Sequence, residues 1–286
     1  MPSTLRLNSW SKVNLYLKVK RKRPDGFHEI VTLFERMDLH DTLAFKSDPS
    51  GRISISCDHP DVPLGKKNLV YRAALLLKER YGISKGVKIH IRKRIPVAAG
   101  LAGGSSNAAT ALLGLNRLWN IKIDKAELIK IASTIGSDVV FFLHDATLAV
   151  GRGRGERIKP VQFSRKLLHV LVVPRVKLYA SNVYGAHKIK LTHTKDDVNI
   201  LIRCLRNNDI NGASSLMAND LEDAILRFQP NLLRLKKKLN SLGAQGVMIS
   251  GSGPAVFALM ENEVQAKRLK QLLSRIYAQV FVVRTL

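Results

Sequence analysis

Residues 96–109 read Pro-Val-Ala-Ala-Gly-Leu-Ala-Gly-Gly-Ser-Ser-Asn-Ala-Ala and decide the fold. Before them, the alternation of apolar and charged residues over 87–92 predicts a half-buried strand. From Ser105 onward, apolar residues recur at helical spacing as far as Trp119 and predict a helix. A loop of small residues that leads into a helix can bind an anion, because the first helical turn has unpaired N–H groups. The alternative is a tight turn in which small residues serve close packing alone.

Several common kinds of site are excluded by the sequence. Neither G-x-x-x-x-G-K-[ST] nor a helix-opening G-x-G-x-x-G occurs in the chain. Cys57 and Cys204 are the two cysteines, and neither has His or Cys partners at ligand spacing. A disulfide framework and a zinc site are therefore not supported, and packing roles are expected for both cysteines.

The length of 286 residues suggests about two domains, or one large domain. No apolar run approaches the roughly 20 residues that a membrane helix needs. Residues 1–10 lack the apolar stretch of a secretory signal. These observations predict a cytoplasmic protein without a membrane partner.

The balance of charges is strongly basic, since 47 Lys and Arg stand against 22 Asp and Glu for a net charge of +25. Such an excess attracts nucleic acids and phosphorylated ligands. The basic runs are scattered and carry few interleaved aromatic residues, which favours a solvated basic surface. No specific nucleic-acid partner is therefore expected.

Strand and helix patterns are interspersed without strict βαβ order, which predicts an α+β protein. Two domains are expected, over residues 1–157 and 158–286. Asn68 is a predicted helix cap, and Asp124 begins a predicted capping box with Glu127. Gly136-Ser137-Asp138 is expected to break the helix that follows.

Three glycine- or serine-containing segments, residues 11–17, 96–109 and 250–254, together resemble the GHMP kinase superfamily. The likeness extends in order over essentially the whole chain. Further marks of the resemblance are Gly26-Phe27-His28-Glu29-Ile30, Thr32-Leu33-Phe34, Asn68-Leu69-Val70, Gly136-Ser137-Asp138-Val139, Phe141-Phe142 and Asn219-Asp220-Leu221-Glu222.

The resemblance implies an N-terminal domain like domain 2 of ribosomal protein S5 and a C-terminal ferredoxin-like domain. It implies ATP-dependent phosphorylation of the 2-hydroxyl of 4-diphosphocytidyl-2-C-methyl-D-erythritol, in the non-mevalonate route to isoprenoid precursors. ATP and Mg²⁺ are the expected cofactors, and the partner is a small cytidyl diphosphate substrate. A monomer or weak homodimer is expected.

Two residues match the catalytic positions of the family. Asp138 would act as the general base, and Lys12 would keep Asp138 ionised and stabilise charge near the acceptor oxygen. Without the resemblance, Asp138 could simply cap a helix and Lys12 could be a surface charge.

The resemblance also implies ligand contacts. Residues expected to lie near ATP are Pro96, Val97, Ala98, Ala99, Gly100, Leu101, Ala102, Gly103, Gly104, Ser105, Ser106, Asn68 and Lys93, with Ser105 or Ser106 as possible Mg²⁺ contacts. Residues expected to contact the second substrate are Phe27 and Tyr184 (stacked on the cytosine ring), His28, Asn14, Gly251 and Ser252. Core packing is the alternative for the two aromatic residues.

Six positions depart from the common family pattern. Ala98, Ala99 and Ala102 stand where many relatives carry glycine, Val140 stands where proline is usual, and Ala180 stands where threonine is frequent. Phe27 lacks the hydroxyl of a frequent tyrosine but keeps the stacking face. Alanine costs little where φ is negative but does not reach strained conformations as glycine does.

Two other functions stay open at this stage. A homoserine- or mevalonate-type kinase would share the fold, but a cytosine-binding aromatic such as Phe27 has no purpose for those small substrates. A nucleic-acid-binding protein is the alternative from another class, motivated by the charge.

Overall fold

A computed structural model describes residues 4–187 and 197–286 of the chain. The strands are β1 (Leu5–Lys22), β2 (His28–Asp48), β3 (Ile53–Cys57), β4 (Gly86–Arg92), β5 (Leu148–Gly153), β6 (Arg157–Val161), β7 (Leu168–Val172), β8 (Ala218–Asn219), β9 (Gln245–Ile249), β10 (Val256–Met260) and β11 (Val280–Arg284). The helices are α1 (Leu69–Arg80), α2 (Gly103–Leu118), α3 (Lys125–Ile135), α4 (Ser137–Leu143), α5 (Ala180–Ala186), α6 (Val198–Arg206), α7 (Ile210–Leu216), α8 (Glu222–Phe228), α9 (Asn231–Ser241) and α10 (Glu263–Leu273).

The described residues form two compact units that are not consecutive along the chain. The first unit contains residues 4–11, Leu39–Val97 and Ala102–Asp145. The second contains Lys12–Asp38, Ala98–Leu101 and the described part of Ala146–Leu286. β1 and β2 therefore each supply residues to both units. The predicted division after residue 157 stays a prediction.

In the first unit, β4 pairs with β3 in parallel and with β2 in antiparallel fashion. Val87, Ile89 and Ile91 of β4 are buried, whereas the residues between them are exposed, which confirms the predicted half-buried strand. Helix α2 packs closely on this sheet at Gly114. A methyl carbon at position 114 would lie 2.7 Å from the ring of Phe45, so only glycine fits there.

In the second unit, β11, β7, β10 and β9 form a four-stranded antiparallel sheet in that order. The apolar stripes of α9 and α10 share one core with this sheet; they consist of Leu232, Leu235, Leu239, Ala266, Leu269 and Leu273. The order β7, α9, β9, β10, α10, β11 is the ferredoxin-like pattern. The predicted C-terminal fold is therefore present.

Two helix starts follow the predicted capping chemistry. The side chain of Asn68 accepts a hydrogen bond from the Val70 N–H, and Asp124 accepts one from the Glu127 N–H, both at 2.8 Å. These bonds satisfy N–H groups that the first helical turn leaves unpaired.

Other boundaries differ from the sequence prediction. Helix α2 begins at Gly103, two residues before Ser105, because tertiary packing overrides the low helix propensity of glycine. The predicted break at 136–138 is a single extended residue, Gly136, and α4 begins directly after it. The residues of α4 from Val139 to Leu143 are all buried, so the segment lacks the polar face that reveals a helix in sequence. Helices α5 and α8 were missed for want of a long periodic pattern.

Candidate active site

The ammonium group of Lys12 lies at the centre of the candidate site. Lys12 is 4% exposed, and its Nζ donates to the Asn14 amide oxygen at 2.7 Å and to the Gly100 carbonyl at 3.3 Å. The ammonium also lies 5.5 Å from the ring centroid of Phe34, within cation–π range. These contacts hold the end of the Lys12 side chain in one position. The alternative of a surface charge is wrong for Lys12.

A relay of hydrogen bonds fixes the orientation of Asn14. The carbonyl of Tyr16 can only accept, so the buried Thr32 hydroxyl donates to it at 2.7 Å. The Thr32 oxygen then accepts from the Asn14 amide nitrogen at 2.8 Å. The amide oxygen of Asn14 is thereby left to face Lys12.

The second unit brings together parts of all three motif segments. The Ser250 hydroxyl donates to the Gly100 carbonyl at 3.0 Å, so this carbonyl joins Ser250 to Lys12. Main-chain bonds from the Lys12 N–H to the Leu101 carbonyl and from the Ala255 N–H to the Ala99 carbonyl support the same arrangement.

Asn219 stabilises the turn that contains Gly251 and Ser252. The Asn219 amide nitrogen donates to the carbonyls of Ile249 and Gly251, both at 2.8 Å. Gly251 has a φ of +54°, and a methyl carbon there would lie 3.0 Å from Asn14 Oδ1 and 3.5 Å from Lys12 Nζ. Glycine at position 251 therefore allows the backbone conformation of the turn and leaves space beside Lys12. Ser252, the next residue, is half-buried.

The glycine-rich segment, which we define as residues 96–106, carries backbone strain. Ala98 and Ala102 adopt φ values of 54° and 53°, and Gly100 has a φ of 80°. The expectation that alanine does not reach strained conformations as glycine does is wrong at these two positions, and each costs about 1–2 kcal/mol relative to glycine. Ala99, by contrast, is outside the left-handed region and is buried.

Helix α2 begins at Gly103, within this segment. Ala102 occupies the cap position, and its side chain makes no capping hydrogen bond. The first turn of a helix has N–H groups without an intrahelical partner, and these groups and the helix dipole favour an anionic ligand. Gly104 and Ser105 lie at this end, exposed and half-buried respectively.

Three predicted nucleotide contacts have partners within the protein. Asn68 is 6% exposed and caps α1 while donating to the Pro63 carbonyl at 2.6 Å. The Lys93 side chain is 5% exposed, and its ammonium bonds Asp41 at 2.8 Å and the Ile95 carbonyl. Ser106 is 1% exposed, and its hydroxyl accepts from Ser9 at 2.8 Å.

Asp138 lies half-buried in the first turn of α4, where the helix dipole stabilises a carboxylate. It belongs to the first unit, and Lys12 belongs to the second. Val140, which replaces the usual proline, is buried in the same helix.

The predicted nucleobase residues differ in their surroundings. Phe27 is 53% exposed, so the alternative of core packing is wrong for it, and the Arg154 guanidinium lies 4.8 Å from its ring centroid. Tyr184 packs partly on the core of the second unit and stacks on His28 with centroids 5.5 Å apart. Burial lowers the pKa of the His28 ring below its usual value, and nearby His187 and Lys22 act in the same direction. His28 is therefore neutral at pH 7.

Sequence reasoning assigned no role to four residues that the structure places in or below these contacts: Thr32, Asp41, Arg154 and Asn219. Thr32 and Asn219 stand inside two further marks of the resemblance, Thr32-Leu33-Phe34 and Asn219-Asp220-Leu221-Glu222, and these marks were the signal that could have found them. Asp41 and Arg154 carry no comparable local signal.

Within residues 4–187 and 197–286, no three His, Cys, Asp or Glu side chains group closely enough to hold a metal ion. Over the same ranges, no helix has the length and apolar composition required to cross a bilayer.

Comparison with known families identifies the fold. Residues 68–146 match the family model of the GHMP kinases N terminal domain, and residues 201–279 match that of the GHMP kinases C terminal. A 4-diphosphocytidyl-2-C-methyl-D-erythritol kinase of Exiguobacterium sibiricum is 40% identical over 283 residues, covering 99% of this chain and 98% of that protein. The kinase of the same name from Enterococcus faecalis is 41% identical over 276 residues, with coverages of 96% and 97%.

The chain belongs to the 4-diphosphocytidyl-2-C-methyl-D-erythritol kinase family.

Solved structures agree with this membership. A crystal structure of 4-(cytidine 5'-diphospho)-2C-methyl-D-erythritol kinase superposes with a TM-score of 0.84 at 35% identity, covering 98% of each chain. The mevalonate kinase of L. major, solved in complex with R-mevalonate, gives 0.78 at 16% identity over 99% of this chain and 96% of that one. At that identity the second likeness shows the fold alone. Family membership confirms the predicted α+β GHMP kinase fold and makes the chain an ATP-dependent phosphotransferase.

Proposed function

We propose that this chain transfers the γ-phosphoryl group of ATP to the 2-hydroxyl of 4-diphosphocytidyl-2-C-methyl-D-erythritol, in the non-mevalonate route to isoprenoid precursors. The observation that carries the proposal is the buried Lys12 ammonium, held by Asn14 and by the Gly100 carbonyl. A fixed cation of this kind is what a phosphoryl transfer needs near the acceptor oxygen, where negative charge develops.

Asp138 is the proposed general base. The acceptor oxygen forms a bond to the γ-phosphorus while the bond to the β,γ-bridging oxygen breaks, the hydroxyl proton passes to Asp138, and ADP leaves. Lys12 stabilises the acceptor oxygen as the proton leaves.

Residues 96–106 are proposed to hold the ATP phosphates, with the N–H groups in the first turn of α2 as the main donors. Asn68 and Lys93 would lie near the nucleotide, with their side chains occupied by the bonds described above. Mg²⁺ prefers oxygen ligands and keeps several waters, so the phosphates and one hydroxyl suffice to hold it. Ser105 suits this role better than Ser106, whose hydroxyl is buried against Ser9. When bound, Mg²⁺ would neutralise charge on the phosphates.

The cytidyl diphosphate substrate is proposed to use the remaining residues. The exposed face of Phe27 and the ring of Tyr184 offer stacking surfaces for the cytosine, which contribute on the order of 1–3 kcal/mol for a base on an aromatic ring. The neutral His28 would hydrogen-bond the cytosine edge. Asn14, Gly251 and Ser252 would contact the end of the substrate that reacts.

The test is ADP release by the purified protein with Mg-ATP, with and without 4-diphosphocytidyl-2-C-methyl-D-erythritol. Homoserine and mevalonate serve as acceptor controls. Turnover with the cytidyl substrate alone is the expected result, and equal turnover with mevalonate would overturn the proposed acceptor.

The base assignment is tested separately with Asp138→Asn against the matched variant Asp145→Asn, since Asp145 is exposed just after α4. Asp138→Asn is expected to lower kcat by about 10²–10⁴, and Asp145→Asn to leave it unchanged. Full activity in Asp138→Asn would refute the assignment. The cytoplasmic location and the monomer or weak homodimer stay predictions.

A further inference from the structure

Asp41, in β2, holds a fully buried carboxylate that accepts four hydrogen bonds in the first unit. Its Oδ1 accepts from the main-chain N–H groups of Arg94 and Ile95 at 2.7 and 2.8 Å. Its Oδ2 accepts from Lys93 Nζ at 2.8 Å and from the Asn107 amide nitrogen at 2.9 Å. Asp41 is 0% exposed, and sequence reasoning assigned it no role.

These donors stand at both ends of the glycine-rich segment. Arg94 and Ile95 directly precede Pro96, the first residue of the segment, and Asn107 directly follows Ser106, the last. One carboxylate therefore ties the entry of the segment to the start of α2. We refer to Asp41 with its four donors as the Asp41 clamp.

The clamp continues to the hydroxyl groups at the start of α2. The Asn107 amide nitrogen also donates to the Ser9 hydroxyl, and Ser9 donates to the Ser106 hydroxyl, both at 2.8 Å. Lys93 lies below the first residue of the helix, since a methyl carbon at Gly103 would be 3.1 Å from its ammonium. The side chains of this network thus support the glycine-rich segment from the interior of the first unit.

A buried ion pair is an inefficient way to stabilise a fold, because desolvating two charges offsets most of their attraction. Such a pair is better suited to fixing one geometry among several. The segment needs this constraint, since two of its alanines sit in strained backbone conformations that do not persist without support.

We propose that Asp41 is a positioning residue for ATP, holding residues 96–106 in the conformation that receives the phosphates. The inference rests on the proposed function only in taking this segment as the ATP site. Asp41 itself touches no substrate in this proposal; it acts through the backbone of Arg94 and Ile95 and through Asn107.

The test compares Asp41→Asn with Asp48→Asn, using isothermal titration calorimetry to measure the Kd of Mg-ATP. Asp41→Asn keeps the side-chain shape but turns an amide donor toward Asn107 and Lys93. Asp48 lies on the same strand and accepts from the Ser50 N–H at 3.0 Å, away from the segment. The Kd of ATP is expected to rise about tenfold or more in Asp41→Asn and to stay unchanged in Asp48→Asn.

A second variant covers the case in which Asp41→Asn does not fold. Asn107→Ala removes the bonds from Asn107 to Asp41 and to Ser9 and leaves the Asp41–Lys93 pair intact, and it is expected to raise the Kd of ATP about threefold. The Kd of the cytidyl substrate should change by less than about twofold in either variant, whereas a general loss of structure would weaken both ligands together.

Wild-type Kd for ATP in folded Asn107→Ala and Asp41→Asn would overturn the clamp. Equal weakening of both substrates would do so as well. If the wild-type protein binds ATP tightly but does not phosphorylate the cytidyl substrate, the proposed acceptor fails while the clamp stands on the binding data.

Discussion

The Thr32 hydroxyl lies 2.8 Å from the amide nitrogen of Asn14 and thereby turns the amide oxygen of Asn14 toward Lys12. The direction of the relay is set at its far end, because the Tyr16 carbonyl accepts the Thr32 proton at 2.7 Å. The Lys12 ammonium is thus held in place by a chain of hydrogen bonds whose direction is set by the backbone carbonyl of Tyr16, two positions beyond Asn14.

Removing the Thr32 hydroxyl should leave the Asn14 amide nitrogen without its hydrogen-bond acceptor. Thr32→Val leaves a buried amide N–H without a partner, which costs about 1–3 kcal/mol in the free energy of unfolding. It should also lower kcat about tenfold, because a misplaced Lys12 stabilises the transition state less well. Thr32→Ser keeps the hydroxyl and should retain most of kcat. Steady-state kinetics measures kcat, and urea unfolding measures the free energy of unfolding. Equal kcat values in Thr32→Val and Thr32→Ser would contradict the relay.

Gly251→Ala should damage activity through contact with Asn14 and Lys12. The added methyl would lie 3.0 Å from Asn14 Oδ1, so the amide must shift and carry the ammonium with it. Gly82→Ala is the matched control, because Gly82 has a φ of +60° and no neighbour within 4 Å of an added methyl. Both variants should lose about 1 kcal/mol of stability from backbone strain. Only Gly251→Ala should lose activity, by about tenfold in kcat; a similar loss at position 82 would point to strain alone.

Glycine at the strained alanines should stabilise the protein. Ala98→Gly and Ala102→Gly each remove a left-handed strain of about 1–2 kcal/mol. Each also increases the conformational entropy of the unfolded chain, which costs about 0.4–1 kcal/mol of stability, so the net gain is about 0–1.6 kcal/mol. Ala99→Gly makes the same chemical change at a buried position outside the left-handed region and should destabilise by about 1 kcal/mol. Urea midpoints for the three variants provide the test, and destabilisation by all three would mean that the strain is not present in solution.

The lowered pKa of His28 predicts a loss of stability in mild acid. Because its folded-state pKa lies below the usual value of about 6.5, the unfolded chain binds more protons between these two values. The free energy of unfolding should therefore rise with pH through that window, and the contribution of His28 should be constant above it. His28→Gln should remove this part of the slope. Urea unfolding from about pH 5 to 7.5 measures how the free energy of unfolding depends on pH. The same pH dependence in the wild-type protein and in His28→Gln would refute the contribution of His28.

Sequence analysis found the features that are encoded in short continuous stretches of the chain. The glycine-rich segment, the caps at Asn68 and Asp124, and the three motif segments each depend on residues close together in the chain. The Asp41 clamp joins residues 66 positions apart, and Asn219 reaches Gly251 across 32 positions. No local pattern marks such pairs, because the fold alone creates them.

The strained alanines were missed for a different reason. Alanine disfavours the left-handed region, so its presence at positions 98 and 102 argues locally for negative φ. Bonds that flank and support the segment, from Asp41, Lys12 and Ser250, override that preference. Local propensity therefore gave the wrong conformation at the place where tertiary constraint is strongest.

The interleaving of the two units along the chain limits how this protein can exchange parts with its relatives. Lys12–Asp38 and Ala98–Leu101 pack with residues that lie beyond position 145. A single recombination crossover between 39 and 145 would therefore build the second unit from two parents. Its contacts around Lys12, Gly100 and Ser250 would then have to match across species. We therefore expect chimaeras to be functional only when all three pieces of the second unit come from the same donor.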